Sequence, residues 1–198
     1  EYWREPVEAG LPVVFAVTLP GKPEAPFNYV INATREGARR ALQLLLDRGH
    51  RRIMYLRETG KARFLVEQMD LAVREMEQQR PDLKLEWVDI SRKCEDLPVE
   101  RFRQPLPPTA ILSYNYAMAE EAIGVLAAAG YRVPDNLEVV SCYSFQSEKG
   151  WVSTIVVDDF EIGRLAAEAI QKLIEQPDYR VRLEVPAELI QRKTTKAQ

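Results

Sequence analysis

Leu46-Asp47-Arg48-Gly49-His50-Arg51-Arg52-Ile53 joins two segments of opposite periodicity. Upstream, Ala38, Ala41, Leu42, Leu44, Leu45 and Leu46 recur at helical spacing among Arg39, Arg40, Gln43 and Asp47. Such a stripe lies along one side of a helix and buries against a core. Downstream, Ile53-Met54-Tyr55-Leu56 is a short unbroken apolar run, the pattern of a strand covered on both faces. Gly49 stands where a helix C-cap belongs, since glycine enters left-handed backbone without a Cβ clash. Arg48 falls in the last turn, at the negative end of the helix dipole. The chain thus turns sharply from a helix into an inner strand.

The same alternation runs outward from this turn. Residues 11–17 predict a strand, and 19–26 a loop containing proline and glycine. Residues 32–49 carry the helix just described, and 53–56 the strand. A helix follows at 62–79, with Leu65, Met69, Ala72, Val73 and Met76 along one face. Strands are predicted at 83–90, 109–113, 137–143 and 154–157, and helices at 116–129, ending at Gly130, and at 160–175. Residues 181–190 are extended and broken by Pro186. Residues 91–108, with Pro98, Pro105, Pro107 and Pro108, read as a short helix flanked by loops. Alternating strands and helices predict an α/β fold with parallel sheets and helices on both faces. The strands at 53–56, 83–90, 109–113 and 137–143 should share one sheet.

Composition narrows the function classes. The 198 residues are 46% hydrophobic and 29% charged, with a net charge of -3, and Lys and Arg are scattered among Asp and Glu. A surface that holds duplex DNA by its phosphates needs a basic excess, which this chain lacks. With one histidine and two distant cysteines, Cys94 and Cys142, no metal site is expected. The cysteines are read as two reduced thiols of a cytoplasmic protein. No apolar run is long enough to span a membrane. The chain opens on Glu1-Tyr2-Trp3-Arg4-Glu5, without Met or a signal peptide, and is expected to be part of something longer.

Several segments, in order, resemble the effector-binding core of the LacI/GalR transcriptional regulators. They are "GLPVVFAV", "NATREGARRALQLLLDRGHRRI", "PTAILSYNYAMAEEAIGVLAAAGYRVPDNLEVVSCYSF", "STIVVDDFEIG" and "ELIQRKTT". Their order runs from about Leu11 to Thr195. The resemblance implies a type I periplasmic-binding-protein-like fold of two lobes joined by three crossovers, with a small effector bound between them. It places residues 1–48 and 148–177 in a partial first lobe, and 49–147 and 178–198 in an essentially complete second lobe. It also implies a helix-turn-helix DNA-binding domain that this chain lacks. Operator DNA would then be reached only through that domain, and the core would form a homodimer with the helix at 116–129 near the contact.

The chain departs from the family pattern where a sugar would bind. The family usually has an Asp where Tyr116 stands, and an Arg aligned with Leu65; Arg63 lies two residues away on another helical face. Ser141-Cys142-Tyr143 replaces the usual Gly-Phe/Tyr-Asp. A phenol is a poor substitute for a carboxylate that accepts from sugar hydroxyls. Tyr114, Tyr116, Tyr143 and Trp151 are expected at the strand-end edge where open α/β sheets bind ligands. Arg57 lies on the same edge. Two readings stay open: the rings plug a cleft that no longer binds, or they hold an aromatic or anionic ligand with Arg57 or Arg63 as counter-charge.

The remaining residues have plainer readings. His50 lacks a nucleophile and an orienting acid, and is read as a turn histidine bonded to nearby backbone. Arg35, Arg39 and Arg40 are read as a solvated helix face. Met118, Ala122, Ile123, Leu126 and Ala127 form a packing stripe, part of it available for an interface. No catalytic residue or cofactor is expected, since no Gly-x-Gly-x-x-Gly, phosphate loop, Gly-x-Ser-x-Gly or His/Cys cluster occurs. The leading function is the effector-sensing and dimerising core of a regulator; the alternatives are a transport solute-binding protein and an α/β enzyme. Effector identity, operator sequence and repressor-versus-activator action are not encoded legibly.

Overall fold

The computed structural model describes residues 4–19, 27–58, 63–90, 94–144 and 150–196. A short helix α1 (Arg4–Glu8) precedes strands β1 (Phe15–Val17) and β2 (Tyr29–Asn32). Helix α2 (Thr34–Asp47), strand β3 (Arg52–Glu58), helix α3 (Arg63–Gln79) and strand β4 (Lys84–Ile90) follow. After a 3-10 turn at Val99–Arg103 come β5 (Ala110–Ser113), α4 (Tyr116–Ala128), β6 (Glu138–Ser144) and β7 (Ser153–Val156). Helix α5 (Asp159–Glu175) and strands β8 (Arg182–Val185) and β9 (Glu188–Ile190) complete the chain.

The strands form two sheets, a three-stranded one ordered β1-β2-β8 and a six-stranded one ordered β4-β3-β5-β6-β7-β9. All pairings are parallel except β7 with β9. The four strands predicted to share a sheet do so, as β3, β4, β5 and β6. The step from β3 to β4 runs one way across the sheet and that from β5 to β6 the other. Right-handed crossovers therefore put α3 and α4 on opposite faces. Every residue of β5 and β6 is accordingly buried.

The helix-to-strand turn forms as its residues require. Gly49 has φ +87°, and the amides of Gly49 and His50 close on the carbonyls of Leu46 and Leu45 at 3.0 and 3.1 Å. On α2, Ala38, Ala41, Leu42 and Leu45 are fully buried. The strand β2 had no counterpart in the sequence reading: four residues inside a loop-to-helix transition give too little periodicity. Its alternation is still informative. Val30 joins Ile162, Ala166 and Val185 in a small core under α5, whereas Tyr29 and Ile31 join the large core.

The chain passes between the sheets three times, from β2 to β3, from β7 to β8 and from β8 to β9. The lobe boundaries differ from those expected. Strand β7 (within 148–177) pairs with β6 in the large sheet, β8 (within 178–198) pairs with β2 in the small one, and α2 (within 1–48) packs along α3 and across β6. Pairing partners decide this, and they are distant in sequence. Part of the loop expected at 19–26, residues 20–26, lies outside the described residues, as do residues 91–93.

Two plainer readings also change. His50 bonds side chains rather than backbone: Nδ1 lies 2.9 Å from Thr109 Oγ1 and Nε2 3.5 Å from Glu138. The arginine face of α2 is not simply solvated. Arg35 and Arg39 both pair with Glu75 of α3, and Arg40 donates to the Ala187 carbonyl at 2.9 Å. Cys94 and Cys142 are free and buried, and burial pushes the Cys94 thiol up to about 11.

Candidate functional site

Two of the crossovers run side by side at the C-terminal end of the large sheet. The Val157 amide donates to the Ser144 carbonyl at 3.2 Å, so the chain leaves β7 beside the end of β6 and enters α5 at Asp159. Asn32, the last residue of β2, precedes the other crossover into α2. From the large sheet, Tyr114 follows β5 with its amide on the Leu56 carbonyl at 2.9 Å, and Tyr143 lies near the end of β6. The ends of both sheets thus meet around Asn32, Tyr114, Tyr143 and Asp159.

The electrostatics of these side chains reflect their mutual proximity. Burial raises the Tyr143 phenol well above its ordinary value, Asp159 and Tyr114 add to this, and the neighbouring Asn32 amide opposes it. Burial, then the charge of Glu58, pushes Tyr114 up to about 12. Burial, then Asp158, raises the Asp159 carboxyl. Asn32 is only 2% exposed, and among the described residues neither atom of its amide has a partner within hydrogen-bond geometry. Asp159 Oδ1 is likewise shielded and unpartnered among the described residues. Leaving a buried polar group unpaired costs about 1–3 kcal/mol. Such a group can be satisfied by a water, an ion or a ligand.

The six residues singled out in the sequence separate into groups. Tyr114 and Tyr143 come together here. Tyr116 and Trp151 come together elsewhere: the Trp151 amide donates to the Tyr116 hydroxyl at 3.0 Å, and its indole N–H to Glu120 at 2.7 Å. Strand β7 begins opposite Val140, midway along β6, so Trp151 lies level with the start of β6 rather than at the strand-end edge. Neighbouring Gly150 is wedged between Arg192 and Tyr116; a Cβ there would come within 2.4 Å of Arg192 Nη1 and 3.0 Å of the Tyr116 ring. This corner is a latch between α4 and the C-terminal segment.

Arg57 is held by its neighbours. Its Nε donates to Asp89 at 2.8 Å and Nη1 to Asp70 at 2.8 Å, and Nη2 also bonds Asp89. Burial would lower its pKa, but the Asp89 and Asp70 hydrogen bonds outweigh this and raise it. The guanidinium also lies 5.5 Å from the Trp87 ring, with Arg74 4.4 Å from the same ring. Two carboxylates already balance its charge. The side chain of Arg63, at the start of α3, lies outside the described residues.

Asn32 and Asp159 were not singled out in the sequence. The only available signals were a polar residue ending the run Tyr29-Val30-Ile31 and an Asp158-Asp159 doublet after an apolar strand. The doublet reads first as a helix cap, and half of it is one: Asp158 Oδ1 accepts from the Glu161 amide at 2.9 Å. Among the described residues no group of His, Cys, Asp and Glu is placed to hold a metal ion. Nor is any described helix long and apolar enough to cross a membrane.

Comparison with known proteins agrees with this architecture. Residues 42–195 match the periplasmic binding protein-like domain family. The HTH-type transcriptional repressor PurR of Mannheimia succiniciproducens is 27% identical over 200 residues, covering 94% of this chain. The chain spans 58% of the length of that relative. A LacI family transcriptional regulator from Bifidobacterium animalis subsp. lactis superposes with a TM-score of 0.73 at 23% identity, over 85% of this chain and 64% of the other. A Lac repressor dimer bound to operator and an anti-inducer superposes with a TM-score of 0.74 at 21% identity, over 89% and 63%. These likenesses agree with the motif resemblance to the LacI/GalR effector-binding core. With most of its length matched and its two sheets joined by three crossovers, the chain belongs to the periplasmic binding protein-like domain family.

Proposed function

We propose that this chain is the effector-sensing and dimerising core of a LacI-type transcriptional regulator acting in the cytoplasm. The observation that carries this reading is the polar cluster at the crossovers. Asn32 and Asp159 belong to the segments that link the two sheets, while Tyr114 and Tyr143 belong to the large sheet alone. A ligand seated among them contacts both sides of a hinge, so it binds one lobe arrangement better than another. That differential affinity is what shifts a conformational equilibrium. The relatedness to a transcriptional repressor favours this reading over a transport solute-binding protein. Operator DNA would be bound by a domain outside this chain, whose own net charge of -3 supplies no phosphate-binding surface.

The test uses the full-length protein. Operator fragments are selected from random duplexes, and the affinity for the selected sequence is measured by fluorescence anisotropy with and without a small-molecule extract. A change in operator affinity that Asn32→Leu abolishes supports the reading. Sequence-specific binding indifferent to every small molecule argues against sensing. Sedimentation of the chain at micromolar concentration should give a dimer.

A further inference from the structure

We propose that the polar cluster at the crossovers takes a small cationic ligand, one carrying an ammonium or amidinium group, with Asp159 as its counter-charge and the Asn32 amide as its orienting partner. This rests on the reading of the crossover cluster as an effector site, and specifies its chemistry.

The argument begins with charge. Tyr143 is influenced by Asp159 and Tyr114, Tyr114 by Glu58, and Asp159 by Asp158. Among the described residues no lysine, arginine or histidine contributes to these shifts. Arg57, which the sequence offered as counter-charge for an anion, spends its charge on Asp70 and Asp89. An anionic ligand would enter a site whose surroundings are acidic and phenolic, and like charge at low dielectric costs several kcal/mol. A cation meets the opposite field.

The second line of argument is hydrogen bonding. Among the described residues Asp159 Oδ1 is a shielded acceptor with no donor, and Asn32, at 2% exposure, presents an acceptor and a donor without partners within hydrogen-bond geometry. An ammonium or amidinium supplies several N–H donors to those oxygens. Tyr114 and Tyr143 border the cluster, and an aromatic neighbour favours a cation over a neutral isostere. Burial and Asp158 raise the Asp159 carboxyl, and a bound cation would lower it again.

The experiment is a thermal-shift panel on this chain, followed by calorimetry of hits. Compounds are matched in shape and differ in charge: benzylamine, benzoate and benzyl alcohol; glucosamine, glucuronate and glucose; putrescine, succinate and butanediol. The expected result is stabilisation by at least one amine and by neither of its matched partners. Asp159→Asn should weaken that amine roughly ten- to a hundredfold. Asn32→Leu, which removes no described hydrogen bond of the amide, should weaken it as well. Binding of an acid or alcohol that Asn32→Leu abolishes would overturn the cationic assignment and leave the effector site standing. Amine binding untouched by Asp159→Asn would also overturn it. No stabilisation by any compound would count against both.

Discussion

Arg48 and Glu138 meet in a buried ion pair, Nε to Oε2 at 2.5 Å, with the two side chains 9% and 4% exposed. Arg48 comes from the turn that ends α2 and Glu138 opens β6, ninety residues away in sequence. The Lys196 amide donates to the same carboxylate at 3.2 Å, and Arg48 in turn bonds the Lys196 carbonyl. The pair therefore ties the helix-to-strand turn, the central sheet and the C-terminal segment together. Glu138→Gln leaves the Arg48 charge buried without its counter-ion, and should destabilise the chain by about 3–5 kcal/mol in urea unfolding. The double variant Arg48→Met with Glu138→Gln should recover part of that loss. An exposed pair would show less than about 1 kcal/mol.

Acid should weaken the same corner. Burial alone would raise Glu138, but the Arg48 hydrogen bond and the Lys196 amide outweigh it and hold the carboxyl below its ordinary range. Its stabilisation is complete above the unfolded carboxylate pKa and is lost as pH falls through the lowered folded value. His50 is lowered from 6.5, by burial first, against the pull of Glu138. Below about that pH the unfolded chain gains a proton that the folded chain resists, so stability again falls with acidification. Urea midpoints should decline from about pH 6.5 downward, and His50→Gln should flatten the upper part of the decline. A midpoint that rises on acidification would contradict the sign.

Gly37 fixes how α2 sits on the large sheet. A Cβ at this position would lie 3.0 Å from Ile155 Cγ2 of β7. A β-branched side chain has no room there, and Gly37→Val should cost about 1–3 kcal/mol of stability, read from the thermal midpoint.

Asn32 should behave as a site where binding opposes stability. Asn32→Leu replaces an amide whose two polar atoms lack partners among the described residues by an apolar group of similar volume. The unliganded chain should gain about 1–3 kcal/mol in urea unfolding while ligand binding is lost. A substantial loss of stability would mean that the amide is satisfied in solution.

Tyr116→Phe should separate the latch from the crossover cluster. It removes the acceptor of the Trp151 amide, worth about 0.5–1.5 kcal/mol, and touches none of Asn32, Tyr114, Tyr143 or Asp159. The measured outcome should be a modest drop in the thermal midpoint with unchanged affinity for any ligand found.

Local chemistry determined much of the fold from the sequence alone. The glycine at 49, the apolar run at 53–56 and the stripe from Ala38 to Leu46 each act within one or two turns of chain, so a helix, its cap and an inner strand follow directly. Motif order was legible for the same reason, and it carried the resemblance. What lay beyond the sequence was pairing across long separations. It decided that β8 joins β2 rather than the large sheet, that Arg57 is consumed by Asp70 and Asp89, and that Tyr116 turns to the Trp151 backbone. The candidate site shows the division most clearly. Tyr114 and Tyr143 could be named from their strand ends, but Asn32 and Asp159 become candidates only when two crossovers run side by side. A side chain's type fixes what it can donate or accept; only the tertiary structure decides whether a partner is there to meet it.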